Sequence, residues 1–197
     1  MWGRPKKSNP ECCICKGGFS LNYATIKKCD VANGPGVRVS LYVSGCTHHC
    51  KGCFNQETWD FAFGKPFTQA QLKEILEDLE PEYIRGFSLL GGEPFEPANQ
   101  EVLVGVLRHI RERYPKKTIW CYSGYLFDHD MLAGKLGDPA ITREMLGYLD
   151  VLVDGEFVES KKNLNLRFKG SENQRIINVP KSLETGTIVL WDGEEYA

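Results

Sequence analysis

Four short apolar segments of the chain have the length and composition of β-strands, and each is followed directly by a turn that contains glycine. These segments are residues 37–43, 86–90, 118–122 and 150–153. In the first segment, valine and leucine alternate with other residues, which is the two-residue period of a strand. Glycine in the turns marks the strand ends, because it adopts conformations that other residues avoid.

Segments with helical periodicity separate these strands. The first begins at a capping box that Thr68 and Gln71 form, and its apolar residues then share one face. A second helix has its apolar face at residues 102–110, and a third is predicted from Asp138 to Tyr148. Strands that alternate with helices indicate parallel βα units, arranged as an open sheet or a partial barrel.

Residues able to carry chemistry follow the predicted strands. Cys46, the pair Gly91 and Gly92, Ser123 and Asp154 all come directly after a strand. In parallel α/β architectures the carboxyl ends of the strands lie at one edge of the sheet, where functional sites form. We therefore expect these residues to meet at one site.

The composition is that of an ordinary globular protein. The chain has 197 residues, a formal charge of −2 and a pI of about 6.1, with 42% hydrophobic and 25% charged residues. Such a charge provides no basic field for nucleic acid or an anionic membrane surface. No apolar run reaches the roughly 20 residues that a bilayer requires, and no secretory signal is recognised, so a cytoplasmic location is expected.

The chain is predicted to consist of one main domain with an extension on either side. Residues 1–22 are polar and show little periodicity, whereas residues 23–180 contain the predicted strands and helices. Residues 181–197 form a C-terminal extension, in which the segment from Thr187 to Trp191 is predicted to be a short strand.

The chain has eight cysteines, which in a reducing compartment are metal ligands, redox groups or buried thiols rather than disulfides. Cys12, Cys13 and Cys15 lie in the N-terminal extension. Together with Cys29 they form a second metal site or remain unligated thiols, and adjacent cysteines are poor ligands for one tetrahedral ion. Cys121 is predicted to be a small buried strand residue.

The remaining three cysteines form a compact loop. Cys46, Cys50 and Cys53 are spaced by three and then two residues, and soft thiolates favour iron–sulfur centres. Three ligands leave one iron of a cubane cluster open to the amino and carboxylate groups of a small molecule. The alternative is a zinc ion with His48 or His49 as its fourth ligand, although a histidine between the cysteines would strain so short a loop. Both histidines are therefore predicted to be polar loop residues.

The cysteine loop after a first strand, followed by Gly-Gly-Glu-Pro after a second, resembles the radical S-adenosylmethionine superfamily. This resemblance implies a partial TIM-like barrel, a [4Fe-4S] cluster on the three cysteines, and S-adenosylmethionine at the open iron. The glycine-rich turn would contact the methionine amino group, and Phe54 would flank the adenine. The predicted cofactor-binding residues are Gly52, Cys53, Phe54, Gly91, Gly92, Glu93, Pro94, Ser123 and Asp154.

Further segments resemble one branch of that superfamily. Residues 33–38 are similar to the signature of glycyl-radical-enzyme activating proteins. Residues 120–125, 151–157 and 167–175 are similar to motifs of the anaerobic ribonucleoside-triphosphate reductase activating proteins, in the same order. The N-terminal extension and the residues after 186 depart from the family pattern.

The resemblance to this branch implies a two-step radical transfer. An electron from a flavodoxin-type donor would cleave S-adenosylmethionine, and the 5′-deoxyadenosyl radical would remove hydrogen from a glycine. That glycine would belong to the large glycyl-radical subunit of an anaerobic ribonucleotide reductase, and the family often pairs as homodimers. Ser123 and Asp154 would hold the cofactor's ribose or carboxylate or serve only as capping and turn residues, while Arg175 and Asn173 would meet the cofactor or the partner.

Two other functions agree with parts of the pattern. One is a radical S-adenosylmethionine enzyme for a small molecule, similar to 7-carboxy-7-deazaguanine synthase. The other is a non-enzymatic zinc-binding module, which would be colourless and would contain zinc instead of iron and sulfide.

Overall fold

The computed structural model of the protein describes residues 20–193. Cys12, Cys13 and Cys15 lie outside the described residues, so the second metal site stays a prediction. Within the described part, no helix has the length and apolar character needed to cross a membrane.

Seven strands form one sheet in the order β3-β1-β2-β4-β5-β6-β7. The strands β2, β4, β5 and β6 are parallel, whereas β1, β3 and β7 join them in antiparallel pairs. The strands are β1 (Asn22–Asp30), β2 (Val37–Val43), β3 (Lys65–Pro66), β4 (Ile84–Gly91), β5 (Thr118–Tyr122), β6 (Val151–Asp154) and β7 (Arg175–Asn178). The predicted parallel βα units are thus confirmed for the centre of the sheet, and β3 and β7 form its two edges.

Four helices complete the fold, α1 (Gln69–Asp78), α2 (Pro97–Arg113), α3 (Pro139–Tyr148) and α4 (Val179–Thr185). The predicted capping box of α1 is confirmed, because the Thr68 side chain accepts from the backbone of Ala70 while Gln71 accepts from the Thr68 N–H. The predicted cap of α3 is also confirmed, with Asp138 accepting from the backbone of Ala140.

The two faces of the sheet carry different side chains, because successive residues of a strand point to opposite sides. Leu41, Leu89, Cys121 and Leu152 belong to the main hydrophobic core, and Cys121 is fully buried as predicted. The other face carries the row Ser40, Ser88, Trp120 and Val151, which are register neighbours across the four parallel strands. This second face leads to the functional site.

Arg38 is fully buried and joins three strands. Its guanidinium donates to the Ser88 hydroxyl at 2.7 Å, to the Phe87 carbonyl at 2.8 Å and to the hydroxyl and carbonyl of Thr118, both at 2.9 Å. Burial lowers the pKa of Arg38 to about 10, so the side chain remains charged at neutral pH. Arg38 thus ties β2 to β4 and β5 beneath the site.

Several elements differ from the sequence-based expectations. β1, β3 and β7 are additional strands, and α4 is an additional helix that crosses the boundary predicted at residue 180. The strand predicted from Thr187 to Trp191 is wrong. That segment makes one isolated antiparallel bridge to β7, between Leu190 and Ile177, with backbone hydrogen bonds at Val189 and Trp191 only, which is too short a pairing for a strand.

Candidate functional site

The cysteine loop, residues 46–53, follows β2 and is held at its start by backbone and side-chain hydrogen bonds. The Cys46 N–H donates to the Trp59 carbonyl at 3.1 Å. The N–H and hydroxyl of Thr47 donate to the Glu96 carboxylate at 2.7 and 2.6 Å. Because Glu96 is the residue before α2, these bonds fix the loop to the amino end of that helix.

All three cysteines of the loop line one cavity of about 360 Å³ at the carboxyl ends of the parallel strands. Cys46, Gly91, Gly92 and Ser123 thus meet at one cavity as expected from their places after the strands, whereas Asp154 does not line it. Of the predicted residues, those that line the cavity are Cys46, Cys50, Cys53, Phe54, Gly91, Gly92, Glu93 and Ser123. Gly52, Pro94 and Asp154 are not among the lining residues.

Glu93 is the residue that joins the separate strand-end motifs. Its buried carboxylate accepts from the Phe95 N–H at 2.8 Å, the Ser123 hydroxyl at 2.9 Å and the Gly124 N–H at 2.7 Å. The His48 Nε2 lies 3.2 Å from its second oxygen. The sequence assigned Glu93 only to a cofactor-contacting turn, whereas its side chain also connects the ends of β4 and β5 to the cysteine loop.

His48 is largely buried between two carboxylates. Its Nδ1 lies 2.9 Å from Glu156 and its ring centroid lies 4.3 Å from that of Tyr125. Burial opposes the positive charge, but Glu93 and Glu156 outweigh it and raise the pKa of His48 to about 9. A Cβ atom on Gly124 would lie 2.6 Å from the ring, so only glycine fits there. His48 is thus a connecting residue of the site, placed between the carboxylates of Glu93 and Glu156.

Burial also affects the thiols of the loop. It raises the pKa of Cys46 to about 12 and raises that of Cys50 above its ordinary value, so both are protonated unless a metal takes the proton's place. Within residues 20–193, no group of three His, Cys, Asp or Glu side chains is placed to hold a single metal ion. Three free thiols that face one cavity fit a cluster, which distributes its ligands over several irons.

Asp154 is fully buried at the end of β6, and its carboxylate is already bonded. It accepts from the Phe127 N–H and from Arg175 Nε, each at 2.9 Å. Arg175 also donates to Asp128 at 2.9 Å, and the Asn173 amide donates to the Glu156 carbonyl at 2.9 Å. These residues anchor the wall of the site, and the cofactor contacts predicted for Asp154, Arg175 and Asn173 stay predictions.

One side of the cavity is covered by a segment that overlaps the family-like motif at residues 167–175, although the sequence analysis assigned its first residues to no site. Leu166, Phe168, Lys169 and Gly170 line the cavity although they belong to no regular element. Phe168 has a left-handed backbone with φ of 58°, and its ring packs edge-on against Trp120 at 5.3 Å. An aromatic residue flanked by basic residues and glycine has no periodicity from which this position could be predicted.

A test of the connecting carboxylate is the variant Glu93→Gln. In either orientation of the new side-chain amide, its NH2 group would face an N–H or O–H donor. We therefore expect the free energy of unfolding to fall by about 2–3 kcal/mol. That loss corresponds to a fall of roughly 5–10 °C in the thermal midpoint for a chain of this size. The same change at the exposed residue Glu112 serves as the control. Equal midpoints for both variants would show that the carboxylate does not hold the motifs together.

Comparison with known proteins defines the class to which this fold and site belong. The family model of the 4Fe-4S single cluster domain matches residues 32–177, which include the cysteine loop and most of the sheet. The match therefore supports an iron–sulfur cluster at the site.

Individual relatives narrow the class further. An anaerobic ribonucleoside-triphosphate reductase-activating protein of Enterobacteria phage T4 is 39% identical over 158 residues, covering 79% of this chain and 93% of the relative. Proteins of the same name from Vibrio cholerae serotype O1 and Escherichia coli strain K12 are 40% and 38% identical, over 79% and 78% of this chain and 97% and 96% of their own. The chain therefore belongs to the family of anaerobic ribonucleoside-triphosphate reductase-activating proteins.

Proposed function

We propose that this protein cleaves S-adenosylmethionine reductively at a [4Fe-4S] cluster and generates a glycyl radical on an anaerobic ribonucleoside-triphosphate reductase. The observation that carries this proposal is the single cavity shared by Cys46, Cys50, Cys53 and the glycine-rich turn after β4. The names of the relatives support the reductase as partner and favour this function over small-molecule chemistry or a zinc module.

Cys46, Cys50 and Cys53 would hold the cluster as its three protein ligands. When bound, the cluster would supply one electron to the sulfonium of S-adenosylmethionine. Beside the loop, the end of β4 requires glycine, because Gly91 has φ of 116° and a Cβ there would lie 2.5 Å from the Val43 nitrogen of β2. This close approach keeps the glycine-rich turn next to the end of β2, from which the cysteine loop begins.

We also propose that the sheet is the partial barrel of the radical S-adenosylmethionine type. Four parallel strands with the main core on one face, and a cavity at their carboxyl ends, support this architecture. The resemblance further suggests a flavodoxin-type electron donor, a homodimer and a cytoplasmic location. Free thiols at all five described cysteines agree with a reducing compartment.

Exposed apolar side chains that line the cavity or lie close in sequence to its lining residues, here called the mouth, support a protein substrate. Phe54 is 83% exposed and lines the cavity, while Val31 (71%) and Leu164 (89%) lie one and two residues from lining positions. They are the three most exposed large hydrophobic residues of the described chain. Such side chains lose contact with water when a partner covers them, which favours association.

The variant Leu164→Ser tests this mouth. We expect the KM for the intact reductase subunit to rise about fivefold, since removing a buried leucine contact costs roughly 1 kcal/mol. Formation of 5′-deoxyadenosine without the partner should stay unchanged. Tyr83→Ser is the control, because Tyr83 is 62% exposed and does not line the cavity. An equal effect of both variants would contradict docking at the mouth.

The proposed function itself is tested by anaerobic reconstitution with iron and sulfide, followed by reduction with dithionite and addition of S-adenosylmethionine. We expect 5′-deoxyadenosine and, after addition of the reductase subunit, the electron paramagnetic resonance signal of a glycyl radical. In the transfer to the subunit, one hydrogen atom leaves the glycine for each 5′-deoxyadenosine formed, so the yield of glycyl radical should not exceed that of 5′-deoxyadenosine. A reconstituted protein that forms no 5′-deoxyadenosine would overturn the proposal.

A further inference from the structure

The cavity has two chemically different ends. One end contains the cysteine thiols and Glu93, which suit metal and charged ligand groups. The other end is formed by neutral side chains from the connection between β1 and β2, from β2, β4 and β5, and from the covering segment. They are Asn33, Tyr42, Leu90, Tyr122, Leu166 and Phe168.

Tyr122 is the unusual residue of this neutral end. Its hydroxyl is buried and has no hydrogen-bond partner among residues 20–193, whereas the nearby Tyr42 hydroxyl accepts from Asn33 Nδ2 at 2.8 Å. Burial raises the pKa of Tyr122 above its usual range, so the hydroxyl keeps its proton and is a donor. A buried polar group without a partner destabilises a fold, which suggests that a ligand supplies the partner.

The charged side chains around this end are already engaged. Asp30 accepts from the Asn33 amide at 2.6 Å and from the Ala32 N–H at 2.9 Å. Arg38 donates to acceptors on β4 and β5, and Lys169 Nζ donates to the Gln174 carbonyl at 2.9 Å. A neutral ligand with a strong hydrogen-bond acceptor therefore fits this end better than a zwitterion.

We propose that the neutral end is a peptide-binding subsite in which the Tyr122 hydroxyl donates to a main-chain carbonyl of the segment that carries the target glycine. This inference rests on the proposed function. A peptide carbonyl is the neutral acceptor that the end requires, and the exposed residues Val31 and Leu164 lie one and two positions along the chain from the lining residues Ala32 and Leu166. The zwitterionic methionine part of the cofactor belongs to the end with the thiols.

The variant Tyr122→Phe removes only the hydroxyl. The probe is a synthetic peptide that spans the radical glycine of the cognate reductase subunit. It is titrated by anaerobic calorimetry into protein loaded with the oxidised cluster and S-adenosylmethionine, so that no turnover occurs. We expect the Kd for the peptide to rise about three- to tenfold, which is the loss of affinity expected when one hydrogen bond is removed. The thermal midpoint without peptide should stay equal or rise, because an unpaired buried hydroxyl is lost.

Tyr83→Phe makes the same change at an exposed site and should alter neither quantity. An unchanged Kd in Tyr122→Phe, or weaker binding of S-adenosylmethionine instead of the peptide, would overturn the subsite. A clear fall in the thermal midpoint would also overturn it, by showing a structural partner for the hydroxyl. If the unaltered protein forms no glycyl radical on the subunit, the proposed function fails. If it does and Tyr122→Phe binds the peptide equally well, only the subsite fails.

Discussion

The variant Cys50→Ala is expected to lose the cluster and, with it, all formation of 5′-deoxyadenosine above background. A cubane held by three thiolates of one short loop has no spare protein ligand, since no other cysteine lines the cavity within residues 20–193. Cys50 is preferable to Cys46 for this test because Cys46 is buried and its loss would also disturb packing. The measurements are iron and sulfide content after reconstitution and the yield of 5′-deoxyadenosine.

Cys29→Ala is the matched control. Cys29 is an exposed free thiol on β1 and does not line the cavity, so this variant should bind as much iron as the unaltered protein. The outcome would also bear on the second metal site that includes Cys29. Full iron content and activity in Cys50→Ala would contradict ligation by the loop, whereas a loss of iron in Cys29→Ala would show that β1 contributes to a metal site.

The parts of the fold that can be predicted from sequence are those with a local cause. The capping box of α1, the aspartate cap of α3 and the apolar runs of β2, β4, β5 and β6 are visible within a few residues of the chain. The antiparallel strand β1 is not predicted because its lysines and exposed positions hide the alternation. β7 has only four residues, and α4 follows it directly, so neither provides a long enough pattern.

The residues of the site likewise divide into those with a local signal in the sequence and those without one. The cysteine spacing and the strand-end turns are local features, and they are sufficient to predict the three cysteines and the glycine-rich turn that line the cavity. The connections among them are tertiary. Nothing in the sequence indicates that His48 lies between Glu93 and Glu156, 108 residues from the latter along the chain. The unpaired hydroxyl of Tyr122 is equally invisible, because a tyrosine in a strand is ordinarily a packing residue.

The largest effect on stability is expected from Arg38→Ala. The change opens a cavity among β2, β4 and β5 and leaves the Phe87 carbonyl and the Thr118 groups without their donor. We expect the free energy of unfolding to fall by about 4 kcal/mol or more, which corresponds to a fall of roughly 8–16 °C in the thermal midpoint. The measurement is anaerobic scanning calorimetry of the cluster-loaded protein.

Two further variants separate the causes of that loss. Arg143→Ala removes an exposed arginine and should change the free energy of unfolding by no more than about 0.5 kcal/mol. Arg38→Lys keeps the charge but lacks the planar guanidinium that reaches three strands at once, so most of the loss should remain. If Arg38→Lys is as stable as the unaltered protein, the positive charge alone is what β2, β4 and β5 require. If Arg38→Ala has the same thermal midpoint as the unaltered protein, the hydrogen bonds from Arg38 do not hold the strands together. Packing of the main hydrophobic core must then be sufficient to position the cavity.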